Sequence, residues 1–264
     1  MKKFYAIANF IVVVLTIIWN YVANAGLIND STVGQISHKY GNLLTPAGYA
    51  FSIWGLIYLG LTGLSIFLIK RVFFSNKEDD FVLQIGPWLI IANIASMIWL
   101  YFWLNEKIGL SVLFMFIILI SLIVIIIRTN MERWDAPLPI IAWIWWPIDL
   151  YAGWIAIASI TNVASYLKLF DLQIFQNELA WTVSMIIVAT IINLLMIIFR
   201  NMREFAAVAV WAIIAIAVRH WDSIPEIQWT AAVCAAILLV VISIHGYQNR
   251  ETNPLNDLFN SGSG

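Results

Sequence analysis

The sequence predicts an all-α integral membrane protein, a helical bundle of about eight transmembrane segments. Three observations predict it. The chain is 62% hydrophobic but only 11% charged, with a mean hydropathy of +0.88, whereas soluble domains carry about 25% charged residues. Its apolar residues fall in runs near the ~20 residues an α-helix needs to cross a hydrocarbon core of about 30 Å. Its fourteen Lys and Arg are sorted unevenly between alternate connections.

The first run, Phe4–Asn24, follows Lys2 and Lys3. With the small residues of ANAG behind it, it resembles a cleavable leader, but its apolar stretch is long for one and it reads as a retained helix. The second, Ala47–Ile69, enters a helix at Pro46 and stops before Lys70 and Arg71. The third and fourth, Leu83–Leu104 and Ile108–Ile127, are split by Glu106 and Lys107. The fifth, Leu138–Asn162, holds WPIDLYAGWIAIASITN. Leu179–Phe199, the short alanine-rich Phe205–Val218 and Trp229–Tyr247 complete the eight. No connection is long enough for a separate domain. The closing SGSG, Ser261 to Gly264, reads as an artificial remnant.

Eight crossings put the two termini and the even-numbered connections on one side. That side holds Lys2, Lys3, Lys70, Arg71, Lys77, Arg128, Arg133, Arg200, Arg203 and Arg250, against Lys39, Lys107, Lys168 and Arg219 on the other. The asymmetry predicts that both termini are cytoplasmic. No basic block with interleaved aromatics suggests nucleic acid. A single cysteine, Cys234, excludes an intrachain disulfide. No histidine pair has metal-ligand spacing, and no catalytic triad order or phosphate loop is legible. The absence of lysine after Leu179 excludes a retinal Schiff base in the last spans. His220 and His245 read as interfacial anchors.

Functional signal lies in the stripes. At 100° per residue, Phe51, Trp54, Tyr58, Thr62 and Ser65 share one face of the second span, with Ile53, Leu56, Gly60, Leu64 and Phe67 opposite. Lipid gives no reward to hydroxyl groups, so the first face should look inward. Pro147, Tyr151, Trp154, Ala158 and Asn162 form a second stripe, and Asn93, Ser96 and Trp103 a third. Helix packing through hydrogen-bonding Ser, Thr and Asn is the plain reading of each. Three together suit a pocket for a flat, mostly apolar ligand.

These residues resemble the TspO/MBR family, the translocator or tryptophan-rich sensory proteins. Pro46, Trp54, Gly55 and Tyr58 are similar to its second helix, Asn93 to its third, and Tyr151, Trp154 and Asn162 to its fifth. The likeness spans about residues 4 to 166. It implies a five-helix core over 1–166, three added helices over 167–250 and a cytoplasmic tail over 251–264. The chain departs from the family pattern at Gly48, Ile94 and Ser96, where tryptophans are common, and at Pro147, four residues before the tyrosine rather than beside it. The resemblance implies a binding or sensory protein for a tetrapyrrole- or sterol-like molecule, a porphyrin or haem-like group among them. The expected site is Trp54, Tyr58, Asn93, Tyr151, Trp154 and Asn162, under a lid running from Gly26 to Thr45. Its partners are then membrane lipids and a hydrophobic small molecule, with a homodimer left open and no catalytic residue assigned.

Asp149 is the exception to every bland reading. A carboxylate within a span costs about 2.5–3.5 kcal/mol on insertion scales. It faces away from the stripe of Tyr151, so it should meet the added helices, with Asn193 or Thr190 of the sixth span as partner. The alternative function is a transporter of a small hydrophobic or amphipathic substrate coupled to protonation of Asp149.

Overall fold

The computed structural model describes residues 1–75, 80–170 and 177–249. Lys77, Arg250 and the tail with its SGSG remnant lie outside the described residues. All regular structure among those residues is helical. Helix α1 (Lys2–Asn24) is followed by the short α2 (Val33–Lys39), a 3₁₀ turn (Gly48–Ser52) and α3 (Ile53–Phe73). Then come α4 (Phe81–Leu104), α5 (Ile108–Arg128), the single turn α6 (Leu138–Ile140), a π-helical turn (Ile141–Trp145) and α7 (Trp146–Lys168). Helices α8 (Glu178–Arg200), α9 (Arg203–Arg219) and α10 (Pro225–Gln248) close the order.

Each predicted span is a helix, most of them extended by a turn or less. Seven are long and apolar enough to cross a membrane, and α9 has 17 residues. At 1.5 Å per residue α9 covers about 26 Å. Contacts between connections show that it still runs from one end of the bundle to the other. Just before its first turn, Arg200 donates to the carbonyls of Ile126 and Met131, and Asn201 to that of Glu132. At its last residue, Arg219 donates to the carbonyl of Thr45. The same end is joined by the ion pairs Lys39–Glu106 and Lys168–Glu178, and Lys2–Asp80 joins the N-terminus to the α3–α4 connection.

Two groups of helices share α7. On one side α1, α3, α4 and α5 pack together, with α3 and α5 meeting α7; on the other α9 packs along it and is flanked by α8 and α10. Gly153 makes the α7–α9 crossing close, since a Cβ there would meet the carbonyl oxygen of Phe205 at 2.7 Å. Gly60 does the same for α3 on α7, where a Cβ would meet Pro147 at 3.2 Å. The π turn precedes Pro147, which has no N–H to give the preceding turn, and an i→i+5 turn absorbs that loss.

Two expectations need correction. The face of α3 assigned to lipid is not one face: Ile53 and Leu64 are buried, while Leu56, Leu59 and Ile66 are exposed. Packing against both α1 and α7 leaves α3 only a narrow lipid-facing strip. The sixth span, α8, also does not pack on the Asp149 side of α7. Helix α9 takes that place, and Asn193 and Thr190 donate to the carbonyls of Ala189 and Ile186 on their own helix. A wheel gives the direction of a side chain but not which neighbouring helix fills it.

Candidate functional site

One end of the bundle holds an aromatic-lined cavity that is partly open to the surface. Its walls come from four segments. Phe51 stands on the 3₁₀ turn and Trp54 at the start of α3, Trp99 and Trp103 on α4, Met115 on α5, and Trp154, Ala158 and Asn162 on α7. Ser37 of α2, with Thr45 and Pro46 of the connection behind it, covers the end. Five of the lining side chains are aromatic rings and none is charged.

The rings are held in fixed relation. Trp154 meets Phe51 edge to face at 5.8 Å between centroids, and Trp99 stacks on Trp103 at 6.1 Å. Trp54 stacks on Tyr58 at 5.3 Å and meets Tyr151 edge to face at 5.9 Å. Of the expected residues, Trp54, Trp154 and Asn162 line the cavity. Tyr58 and Tyr151 form the layer behind Trp54. Asn93 is buried apart from the lining and donates to the carbonyl of Leu89.

Asn162 is the polar hinge of the wall. Its Oδ1 accepts from Trp99 Nε1 at 3.0 Å, and its Nδ2 donates to Ser111 Oγ at 3.0 Å, while Ser111 donates onward to the Ile108 carbonyl at 2.7 Å. A buried amide needs such partners where no water is at hand. Three helices, α4, α5 and α7, are thereby tied at one point. Trp99 is missing from the stripe read in the sequence, although it stands three residues after Ser96 and four before Trp103, on the same side of the helix.

The cover is clamped rather than loose. Thr32 and Gln35 cap α2 reciprocally, each side chain bonding the other's backbone. Asn42 donates to Ser165 Oγ and the Thr161 carbonyl of α7, and accepts from the Leu44 N–H. From α9, Arg219 holds the Thr45 carbonyl, the Ala215 carbonyl accepts from the Ala47 N–H, and Trp211 donates to the Ala50 carbonyl. His220 is no interfacial anchor: it is buried, with Nε2 at 2.9 Å from the Leu43 carbonyl, and burial holds its pKa below the usual value. At the rim, Glu106 pairs with Lys39 and accepts from the Tyr40 hydroxyl.

Asp149 neither lines this cavity nor faces lipid. It is 0% exposed and lies about 20 Å along α7 from Asn162. Its neighbours are Glu132 of the α5–α6 connection and Glu204 of α9. Burial, and then the Glu204 carboxylate, pushes Glu132 up to about 8.

A family model described as TSPO-like protein matches residues 6–244, a stretch that reaches from the first turns of α1 to the last turns of α10. No curated protein and no solved structure matches the chain.

Proposed function

The chain belongs to the TSPO-like protein family, and from that premise we propose that it is a membrane binding or sensory protein for a flat, hydrophobic molecule of the tetrapyrrole or sterol kind. The observation that carries this reading is the cavity itself: five rings, no charged lining group, and a short polar seam of Ser37, Thr45, Thr161, Asn162 and Ser165 along one side. Sites for such ligands are mostly apolar and aromatic, with a few polar groups that set orientation. Rings already fixed by one another bind a planar partner with little ordering cost. Trp54, Trp154 and Asn162 make contact with the ligand in this proposal, Tyr58 and Tyr151 support Trp54, and Asn93 stiffens α4. The five-helix unit over 1–166 carries the pocket, and the helices of 167–250 hold its cover through Arg219 and His220.

Quenching of tryptophan fluorescence by protoporphyrin, with cholesterol as competitor, tests the proposal. Trp54→Leu and Trp154→Leu should each weaken porphyrin binding about tenfold or more while leaving expression and melting close to wild type. Two variants that bind as wild type does would remove the cavity from consideration. A proton-coupled transporter working through Asp149 is the second reading, supported by the burial of that carboxylate between helices. Substrate-dependent proton flux in liposomes separates the two, since a binding protein gives none. Both termini are placed in the cytoplasm by this proposal; reporter fusions after Asn24 and Gln248 should read outside and inside.

A further inference from the structure

At the end of the bundle away from the cavity, three carboxylates converge from three separate segments. One oxygen each from Glu132, Asp149 and Glu204 lies within 4.8 Å of the other two. Asp149 is 0% exposed, and neither of its oxygens meets a hydrogen-bond donor. Glu204 Oε2 is likewise buried with no donor. Buried carboxylates ordinarily take backbone donors, hydroxyl groups or an arginine. The nearby arginines act on the cluster through charge without bonding it: Arg200 Nη2 donates instead to the Ile126 and Met131 carbonyls, and the Nε of both Arg200 and Arg203 is buried without a partner. Among the described residues no Lys or Arg forms an ion pair with any of the three.

The three carriers are fixed in place. Asn201 Nδ2 donates to the Glu132 carbonyl at 3.0 Å, tying the α5–α6 connection to the α8–α9 turn. Gly153 lets α7 approach α9 closely enough to bring Asp149 beside Glu204. Glu132 and Glu204 are half-buried, so the cluster opens to the aqueous face above a floor formed by Asp149.

We propose that Glu132, Asp149 and Glu204 form a binding site for a divalent cation of calcium or manganese type. Oxygen-only donors select hard cations, and the cluster has neither His nor Cys to favour zinc or copper. The three donor oxygens all lie within 4.8 Å of one another, close enough to share one ion. A bound cation gives both Asp149 oxygens a partner and staples the α5–α6 connection, α7 and α9 into one unit. The site is independent of the aromatic cavity and of what that cavity binds.

The test uses the full chain in detergent, stripped with a chelator, and titrates it with Ca²⁺ alone and with Mn²⁺ alone. Calorimetry and thermal unfolding follow the titrations, with the Mn²⁺ spin-resonance signal as a direct count of bound ion. Wild type should bind one ion saturably below about 1 mM and melt at a higher temperature with it. Asp149→Asn and Glu204→Gln should each weaken binding at least tenfold, and Trp154→Leu should leave it unchanged. Absence of saturable binding of either ion, or wild-type affinity in both carboxylate variants, overturns the proposal. If Asp149→Asn does not fold, the half-buried Glu204→Gln decides alone.

Discussion

The bond between Trp99 and Asn162 gives the account a quantity to be measured. Asn162→Leu keeps the volume of the side chain but removes the acceptor of Trp99 Nε1 and the donor to Ser111 Oγ. Ser111 loses little, because it still donates to the Ile108 carbonyl. Trp99 is 7% exposed, so its N–H is left without a partner in an apolar wall. A stranded buried donor costs about 1–3 kcal/mol in soluble proteins, whereas interhelical hydrogen bonds in membranes average about 0.6 and reach about 1.7 kcal/mol. The membrane figures govern here, so Asn162→Leu should cost about 0.6–1.7 kcal/mol. Trp99→Phe removes the donor and some ring area together. In the double variant the stranded N–H no longer exists, so the two losses should fall short of adding by about 1 kcal/mol. Reversible unfolding in mixed micelles provides the four stabilities. Losses that add within about 0.3 kcal/mol would refute the claim that this bond ties α4 to α7.

Two further outcomes follow from the packing and the rim. Gly153→Ala should destabilise by about 1–3 kcal/mol, because its Cβ would press on the Phe205 carbonyl, a backbone atom that cannot rotate aside; an unchanged melting temperature would contradict the close α7–α9 crossing. The tether of the cover should depend on pH through Glu106, whose pKa is lowered first by the Lys39 hydrogen bond and then by that of Tyr40, while Lys39 is raised by Glu106. Its contribution is then complete above the ordinary carboxylate value of 4.5 and below the ordinary lysine value of 10.5. It is lost as pH falls through the depressed Glu106 value, or rises through the elevated Lys39 value. A fluorophore on α2 should report a more mobile cover below that lower limit, and Glu106→Gln should reproduce the effect at neutral pH.

The helix ends were legible because the bilayer imposes one length and charges mark its borders; Lys70, Arg128, Arg200 and Arg219 sit at or within a few residues of the ends of α3, α5, α8 and α9. The stripes of Trp54, Trp154 and Asn162 were legible for a related reason, since a hydroxyl, amide or indole gains nothing by facing lipid. What the sequence hid depends on pairs distant in the chain. Nothing local says that Arg219 and His220 reach the carbonyls of Thr45 and Leu43, because a backbone carbonyl has no residue type. Asn93 fitted a stripe yet bonds its own helix, as the periodicity of one helix cannot separate a cavity wall from packing. The cluster at Asp149 was hidden because Glu132 and Glu204 each read as an ordinary charge at a helix border.

A side chain that fills the cavity should exclude the ligand from it. Ala158 lines the space between the rings, so Ala158→Phe places a phenyl group where a ligand ring would lie. The protein should still fold, as its melting transition reports, and its porphyrin affinity measured by tryptophan quenching should fall at least tenfold. A folded Ala158→Phe variant that binds porphyrin with wild-type affinity would contradict the account.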